Sequence, residues 1–219
     1  MNAKQFIEKL NELGSEDDEF QDVSMGQVFV LAKQFMDMPT REIEKLLDNP
    51  IHKLRAAAVS IMDWQARNKK TPEKRRKELF DLYIKRHDRI NDWDLVDRSA
   101  PYVVGGYLSD KPREILYKLA RSKSPWERRT AITATYYFIR QGDVDDTFKI
   151  AEILAHDPHD LVQKAVGGWL REAGKKDLQK LLSFLDKYAA SMPRTMLRYA
   201  IEHLDKDQRE HYLDMKRKS

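Results

Sequence analysis

The chain has 219 residues, with 40 Lys and Arg against 36 Asp and Glu, a net charge of +4 and no cysteine. Disulfides and thiolate metal sites are therefore excluded, and the length allows one large or two small domains with a substantial core. Few Gly and Pro beside many Lys, Glu, Leu and Arg favour an all-α protein, and a pI near 9.0 weakly favours a polyanionic partner.

The N-terminus, MNAKQFIEKLNELGSEDDEF, lacks the apolar segment of a signal peptide. No run in the sequence approaches the roughly 18 apolar residues of a membrane span. We therefore expect a cytoplasmic protein without a membrane partner.

Helix starts recur along the chain. Ser24 with Gln27 and Ser124 with Glu127 fit the capping box, and Pro125 occupies the favoured first helical position. Further N-terminal signals are Thr71-Pro72, Asp110 before Lys111-Pro112, and Asp157-Pro158. With the apolar stripes between them, they predict about a dozen helices of ordinary length, joined by short loops, and no strand.

The predicted helices also repeat. Four segments each carry a polar or basic residue shortly before an Ala and an apolar residue, and these alanines are Ala57, Ala131, Ala165 and Ala200. The last three alanines are 34 and 35 residues apart. Ala57 precedes Ala131 by 74 residues, which leaves room for two units, the second beginning at Trp93. A period in the thirties made of helix pairs is typical of an α-solenoid.

Basic residues recur at nearly the same place in these units, namely Arg55, Arg129, Lys164 and Arg198. The second helices of a solenoid line its concave face, which is the usual binding surface. If the basic side chains face that groove, they form a track that suits a phosphate backbone. Alternatively, they extend across helix ends or pair with acids such as Glu127 and Glu202. Spacing alone leaves both interpretations open.

Several classes of active site have no counterpart in the sequence. There is no phosphate-binding GxxxxGK[ST] loop, no HExxH zinc motif and no GxSxG nucleophile motif. The six histidines are scattered, which argues against a metal site.

The stretch WDLVDRSAPYVVGG places Trp93 and Asp97 four residues apart, on one face of a helix. Pro101 lies in the same helix, where it should kink the chain and free a backbone carbonyl. In one interpretation Asp97 forms a structural ion pair with Arg98 or Arg129, and Trp93 belongs to the core. In the other, the carboxylate faces a cationic reaction centre with an aromatic face beside it.

Four motifs resemble the AlkD family of bacterial DNA alkylation repair proteins: WDLVD at 93–97, WERRTAI at 126–132, KAVG with LRE at 164–172, and PRTMLRYAIEHL at 193–204. The resemblance runs from about residue 24 to the C-terminus. It implies a single all-α domain over 1–219, with HEAT-like repeats from about 24 to 219 that form an α-solenoid with a concave basic groove.

Members of this family release positively charged N3- and N7-alkylated purines from duplex DNA, without a cofactor, while gripping mainly the backbone. The resemblance therefore implies a DNA glycosylase, a hydrolase of N-glycosyl bonds with no metal. Its expected partner is duplex DNA with alkylated purines, in the bacterial cytoplasm and at the nucleoid, with no obligatory protein partner.

The resemblance also implies the roles of individual residues. Asp97 would stabilise oxocarbenium-like charge on the sugar and orient the attacking water. Trp93 would offer a π face to the cationic lesion, and Arg129 would hold the backbone near it. These three are the candidate catalytic residues, and the expected DNA-binding residues are Arg55, Lys164, Trp169, Arg171 and Arg198.

The chain departs from the family pattern in two places. Family members carry an aromatic residue directly after KA[VI]G, where this chain has Gly168, with Trp169 following. Because one residue is about 100° of helix rotation, we expect Trp169 to face the core. In addition, residues 1–23 form a divergent segment, in which acids at 16–19 replace a basic, aromatic-containing helix and would repel phosphates.

The sequence thus leads to an alkylpurine DNA glycosylase as the first expectation. Two alternatives remain open. One is a non-catalytic relative that binds DNA or branched nucleic acid, and the other is a protein-binding helical-repeat scaffold.

Overall fold

The structure is a computed structural model and describes residues 1–14, 20 and 22–215. No strand occurs in this part of the chain, so the all-α prediction is confirmed. A 3₁₀ turn covers His87–Arg89, and a π-helix covers Ala100–Gly105. The α-helices are α1 (Ala3–Asn11), α2 (Met25–Gln34), α3 (Thr40–Leu47), α4 (His52–Arg67), α5 (Glu73–Lys85), α6 (Trp93–Ser99), α7 (Glu114–Ala120), α8 (Pro125–Ala134), α9 (Tyr136–Ile139), α10 (Asp145–Ile153), α11 (Asp160–Gly174), α12 (Leu178–Tyr188), α13 (Arg194–Ala200) and α14 (Lys206–Met215).

The chain divides into two compact units, Met1–Tyr107 and Leu108–Ser219. In the first unit the helices alternate between two layers. Helices α1, α3 and α5 contact one another in order, and so do α2, α4 and α6. Helix α4 joins the layers, because it also packs against α3 and α5, and its Leu54 and Ile61 are buried in the core between them.

The second unit repeats this alternation. Helices α7, α10 and α12 form one layer, and α8, α11 and α13 form the other. Contacts of α7 with α8 and of α11 with α10 and α12 join the two layers. Layered, alternating helices are the arrangement of a helical-repeat protein, so the predicted fold class is confirmed. The expectation of a single domain over 1–219 stays a prediction.

The recurring alanines lie on helices that contact others of the same layer. Ala57, Ala131, Ala165 and Ala200 are all buried, on α4, α8, α11 and α13. Helices α11 and α13 approach so closely that a Cβ added at Gly167 would lie 2.4 Å from the Met196 carbonyl oxygen. The small Gly167 therefore permits a close helix contact of the kind that the repeat predicted.

Capping boxes begin the first two helices. The Ser24 hydroxyl accepts the Gln27 amide, and the Gln27 side chain accepts the Ser24 amide, as predicted for α2. Asn2 and Gln5 make the same reciprocal contacts at the start of α1, which lies within the divergent N-terminal segment. The acids at 16–19 lie outside the described residues. No helix in the described part of the chain is long and apolar enough to cross a membrane.

Helix α8 begins at Pro125 as predicted, but the predicted capping box of Ser124 and Glu127 is wrong. The Ser124 side chain caps no amide among the described residues. Instead, Arg128 donates to the carbonyls of Ser122 and Lys123, at 3.0 and 2.9 Å. A guanidinium reaching back from the first turns of the helix thus closes this corner, which a local capping pattern does not reveal.

Candidate functional site

Helix α6 presents Trp93 and Asp97 at the surface of the first unit. The Asp92 carboxylate accepts the Trp93 amide at 2.7 Å, which starts the helix with Trp93 at its first position. Trp93 is 50% exposed, and Asp97, one turn later, is exposed as well. The interpretation of Trp93 as a core residue is therefore wrong, and its indole is accessible from solvent.

The backbone changes geometry directly after this pair. From Ala100 to Gly105 it is π-helical, and the Gly106 amide donates to the Pro101 carbonyl, five residues earlier, at 3.0 Å. Pro101 has no N–H, so it cannot donate the bond from residue 101 to the Asp97 carbonyl that a continuous α-helix would contain. The helix widens into a π-turn at the predicted place, a feature frequent at functional sites, whereas the kink and the freed carbonyl stay predictions.

His52 lies beside two carboxylates where α4 and α6 begin. Its Nε2 is 2.8 Å from Asp94 Oδ2, and potential ligand atoms of His52, Asp92 and Asp94 all lie within 4.8 Å of one another. The scattered histidines of the sequence did not suggest this cluster. Burial is the main cause that lowers the pKa of the neighbouring Arg55, whereas Asp92 and Asp94 act to raise it. His52 and Arg55 both lie beside these acids, so the cluster forms an ion network where α4 and α6 begin.

A buried carboxylate, Asp63 on α4, organises two arginines. Asp63 is 1% exposed, and burial raises the pKa of its carboxyl, although Arg67 and Arg98 act against this. Arg67 Nε donates to Asp63 Oδ2 at 2.7 Å. Arg98 Nε lies 3.9 Å from the same oxygen and donates to Ser60 Oγ at 3.1 Å. A buried charge of this kind is tolerated only with such compensation, so both guanidinium groups are held in place.

The same two arginines lie over aromatic rings. The Arg67 guanidinium carbon is 3.8 Å from the centre of the Tyr102 ring. That of Arg98 is 4.6 Å from the centre of the Phe29 ring and 5.6 Å from that of Trp64. A cation over a ring face is attracted by the ring quadrupole, which fixes the guanidinium groups further.

In the second unit, Arg129 is buried and not exposed in the way expected for a residue of the basic track. It is 7% exposed on α8, and its guanidinium donates to the Leu161 carbonyl in the first turn of α11. The neighbouring Arg128 forms two bonds with the buried Asp157, at 2.5 and 3.1 Å. Two consecutive arginines of α8 therefore hold the start of α11.

The contacts of Arg55 match those of Arg128 rather than those of Arg129. Arg55 donates to the carbonyls of Asn49 and Pro50, six and five residues earlier, and Arg128 makes bonds of the same separation. Both arginines thereby close the loop that enters their helix. The alignment of Arg55 with Arg129 in the basic track is therefore displaced by one residue, and Arg55 makes the helix-end contacts of the alternative interpretation.

The other candidate basic residues differ in their partners. Lys164 Nζ pairs with Asp160, one turn earlier, at 2.6 Å. Arg171 pairs with Glu202, one of the acids expected as an alternative partner. Arg198 is exposed in the last turn of α13 and has no ion-pair partner in the described part of the chain. Of these three side chains, Arg198 is the most available to a ligand.

Trp169 faces the interior of the second unit. Its ring packs against the buried cluster of Ile139, Val144 and Ala173. Its Nε1 donates to Thr133 Oγ1 at 3.2 Å. The inward orientation expected from the shifted motif is therefore confirmed. The ring packs and its N–H donates within the unit. This differs from the predicted contact of Trp169 with DNA.

Gly168 leaves open space beside α11. A Cβ added there meets no atom within 4 Å. At the preceding Gly167 it would lie 2.4 Å from the Met196 carbonyl oxygen and 2.6 Å from Tyr199 Cβ. The position at which family members carry an aromatic residue is thus on the open side of the helix and holds no side chain here.

The sequence interpretation missed the group around Asp63, although part of its signal is local. Lys33 follows Phe29 by four residues, and Arg98 precedes Tyr102 by four, so each cation shares a helix face with a ring. The remaining contacts join different helices, and spacing along the chain does not reveal them.

Comparisons with known proteins agree with this architecture. Residues 2–204 match the family described as DNA alkylation repair enzyme. A solved structure, "Predicted DNA alkylation repair enzyme from Enterococcus faecalis", has the same fold, with a TM-score of 0.66 at 16% sequence identity over 93% of this chain and 95% of that chain. A search of curated proteins found no match. Because the family match spans nearly all of the sequence, the chain belongs to the DNA alkylation repair enzyme family.

Proposed function

We propose that this protein is a DNA glycosylase that hydrolyses the N-glycosidic bond of cationic N3- and N7-alkylated purines in duplex DNA. The observation that carries the proposal is the exposed Trp93–Asp97 pair at the start of α6, directly before the π-helix. A family role in DNA alkylation repair provides the context for that pair.

The proposed reaction needs only a carboxylate and water. Water adds to C1′ of the deoxyribose and releases one proton to solvent, the bond from C1′ to the base nitrogen breaks, and its electron pair neutralises the departing alkylpurine. Since the base leaves as a neutral molecule, it requires no general acid. Positive charge grows on the sugar in the transition state, where a fixed Asp97 carboxylate stabilises it more than in the ground state.

Trp93 supports the same step through its indole. The lesion is a cation before the bond breaks, and an exposed indole face attracts a cation within about 6 Å of its centre. Trp93 begins α6 and Asp97 follows one turn later, so both act from one face of the same helix. We therefore assign binding of the lesion to Trp93 and stabilisation of the sugar to Asp97.

Contacts with the DNA backbone are proposed for basic residues of the second unit. Arg198 is the exposed candidate on α13. Arg129 is 7% exposed and donates to the Leu161 carbonyl, so we propose that it supports the backbone-holding role of the family resemblance by fixing the start of α11.

A second candidate function is non-catalytic binding of DNA. It is favoured by Gly168, which leaves open the place of the family's second aromatic residue, and by Trp169, which packs inward. Without that aromatic contact, a lesion is held less firmly and its release is slower.

One experiment distinguishes these functions. A duplex containing N7-methylguanine is incubated with protein in excess, and free base is measured over time beside binding of the same duplex. Release above the rate without protein supports the glycosylase. Binding without release supports the non-catalytic relative, and the absence of both contradicts a DNA function and favours the protein-binding scaffold.

A further inference from the structure

In the first unit, the layer of α2, α4 and α6 has one face that is lined by cationic and aromatic side chains. Helices α2, α4 and α6 contact one another in order. Each contributes side chains at helical i, i+3 or i+4 spacing, as does the π-helix that extends α6. The residues are Phe29 and Lys33 on α2, Asp63, Trp64 and Arg67 on α4, Arg98 on α6, and Tyr102 on the π-helix.

The rings of this face already carry cations. Lys33 Nζ lies 4.8 Å from the centre of the Trp64 ring, and the Arg98 guanidinium lies 5.6 Å from it. Arg67 lies 3.8 Å from the centre of the Tyr102 ring. A nucleobase would have to displace these cations in order to stack. The face therefore offers positive charge, and its rings serve to hold that charge.

The cations keep donors free for a ligand. Arg67 and Arg98 use Nε toward Asp63 and Ser60, and neither has a protein acceptor for its Nη groups among the described residues. Lys33 is exposed and has no ion-pair partner in that part of the chain. Three cations with one buried carboxylate leave an excess of positive charge on fixed groups, as a polyanion requires.

We propose that Lys33, Arg67 and Arg98, here called the cationic face, bind phosphodiester groups of duplex DNA. This inference rests on the proposed function and adds a backbone-binding surface that the basic track of the sequence does not contain. Recognition is of phosphates and is therefore independent of base sequence.

The test measures binding of undamaged duplex by fluorescence anisotropy across a range of KCl concentrations. Lys33→Glu and Lys33→Gln are compared with Lys9→Glu and Lys9→Gln. Lys9 is a matched control, because it is also an exposed lysine near the end of its helix, with Nζ 5.8 Å from the centre of the Phe35 ring. Thermal unfolding verifies that each variant is folded.

We expect Lys33→Gln to lower the slope of log affinity against log salt by about 1, the value for one lost phosphate contact. Arg67→Gln should do the same, whereas Arg67→Lys keeps the charge and most of the slope. AT-rich and GC-rich duplexes should lose affinity equally. The Lys9 variants should bind like the wild-type protein.

The outcomes separate the cationic face from the proposed function. If the wild-type protein binds duplex and releases bases while the Lys33 and Lys9 variants have equal slopes, the cationic face is overturned and the glycosylase remains. A loss of affinity that depends on base composition also overturns it. Failure of the wild-type protein to bind duplex at low salt overturns both proposals.

Discussion

Asp63 is a buried carboxylate whose ionisation affects the stability of the first unit. Burial raises its pKa in the folded protein above the usual value of 3.8. Its contribution to stability is therefore complete below pH 3.8 and is lost as the pH rises through the raised pKa. We expect Asp63→Asn to become more stable relative to wild type, with a larger free energy of unfolding, as the pH rises above 3.8. Urea unfolding at closely spaced pH values measures this difference.

Glu44 provides a control of opposite sign. Hydrogen bonds from Lys85 and Arg86 lower the pKa of its carboxyl below the usual 4.5. The stability that Glu44 contributes is thus present above pH 4.5 and is lost as the pH falls through the lowered pKa. Glu44→Gln should therefore lose stability relative to wild type with rising pH. Parallel curves for Asp63→Asn and the wild-type protein would contradict the assignment to Asp63.

Single residues were predictable where their signal is local. The spacing of Trp93 and Asp97 placed them on one helix face, and the family resemblance, rather than hydrophobicity, favoured an exposed Trp93. Asp63 was not predictable, because its compensating contact with Arg98 joins α4 to α6. From sequence alone, such a carboxylate is predicted to lie at the surface, because the contacts that compensate its burial are not visible there.

Helix α11 carries two adjacent glycines with opposite surroundings. Gly167→Ala would push a methyl group against the Met196 carbonyl oxygen, which belongs to backbone and yields little. We expect it to destabilise the protein by about 1–3 kcal/mol. Gly168→Ala meets open space and should stabilise the helix by up to about 1 kcal/mol, because Ala forms helix better than Gly. Urea unfolding of both variants measures the contrast, and effects of the same sign would contradict the orientation of α11.

The inward Trp169 tests the same helix from its other side. Trp169→Ala removes a large side chain from the cluster of Ile139, Val144 and Ala173. Because the ring is half-buried, we expect a loss near the lower end of the range for buried aromatics, about 3 kcal/mol.

Trp169→Phe separates packing from hydrogen bonding. It keeps an aromatic ring and loses the bond to Thr133, which should cost about 1 kcal/mol. Chemical denaturation measures both variants. A Trp169→Ala variant as stable as wild type would show that the ring does not pack inward.

At the scale of elements, local patterns predicted where helices begin better than how they are capped. Ser24 forms its predicted capping box, whereas at Ser124 the same pattern gives no cap and Arg128 closes the corner. The difference is physical, since a capping box needs only four consecutive residues. A guanidinium that bonds loop carbonyls depends on the path of the whole corner.

For the whole molecule, the alternating helical layers were predictable because the alanines recur at the period of a helix pair, and all of them are buried. The binding surface was less predictable. Arg55 and Arg129 share a pattern in the sequence, but Arg55 has the contacts of Arg128, so a displacement of one residue changes which cations reach a ligand. Repetition of helices fixes the layers, and side-chain contacts between helices fix the site.

The central claim is that the Asp97 carboxylate drives hydrolysis of the glycosidic bond. Its most direct test is the single-turnover rate of N7-methylguanine release from duplex DNA, with protein in excess, for the wild-type protein, Asp97→Asn and Asp37→Asn. Asp37 is an exposed acid between α2 and α3 and controls for the loss of one negative charge. We predict that Asp97→Asn lowers the rate by about a hundredfold or more and binds undamaged duplex at least as tightly as wild type, while Asp37→Asn releases base normally. Equal release rates for Asp97→Asn and the wild-type protein would contradict the account.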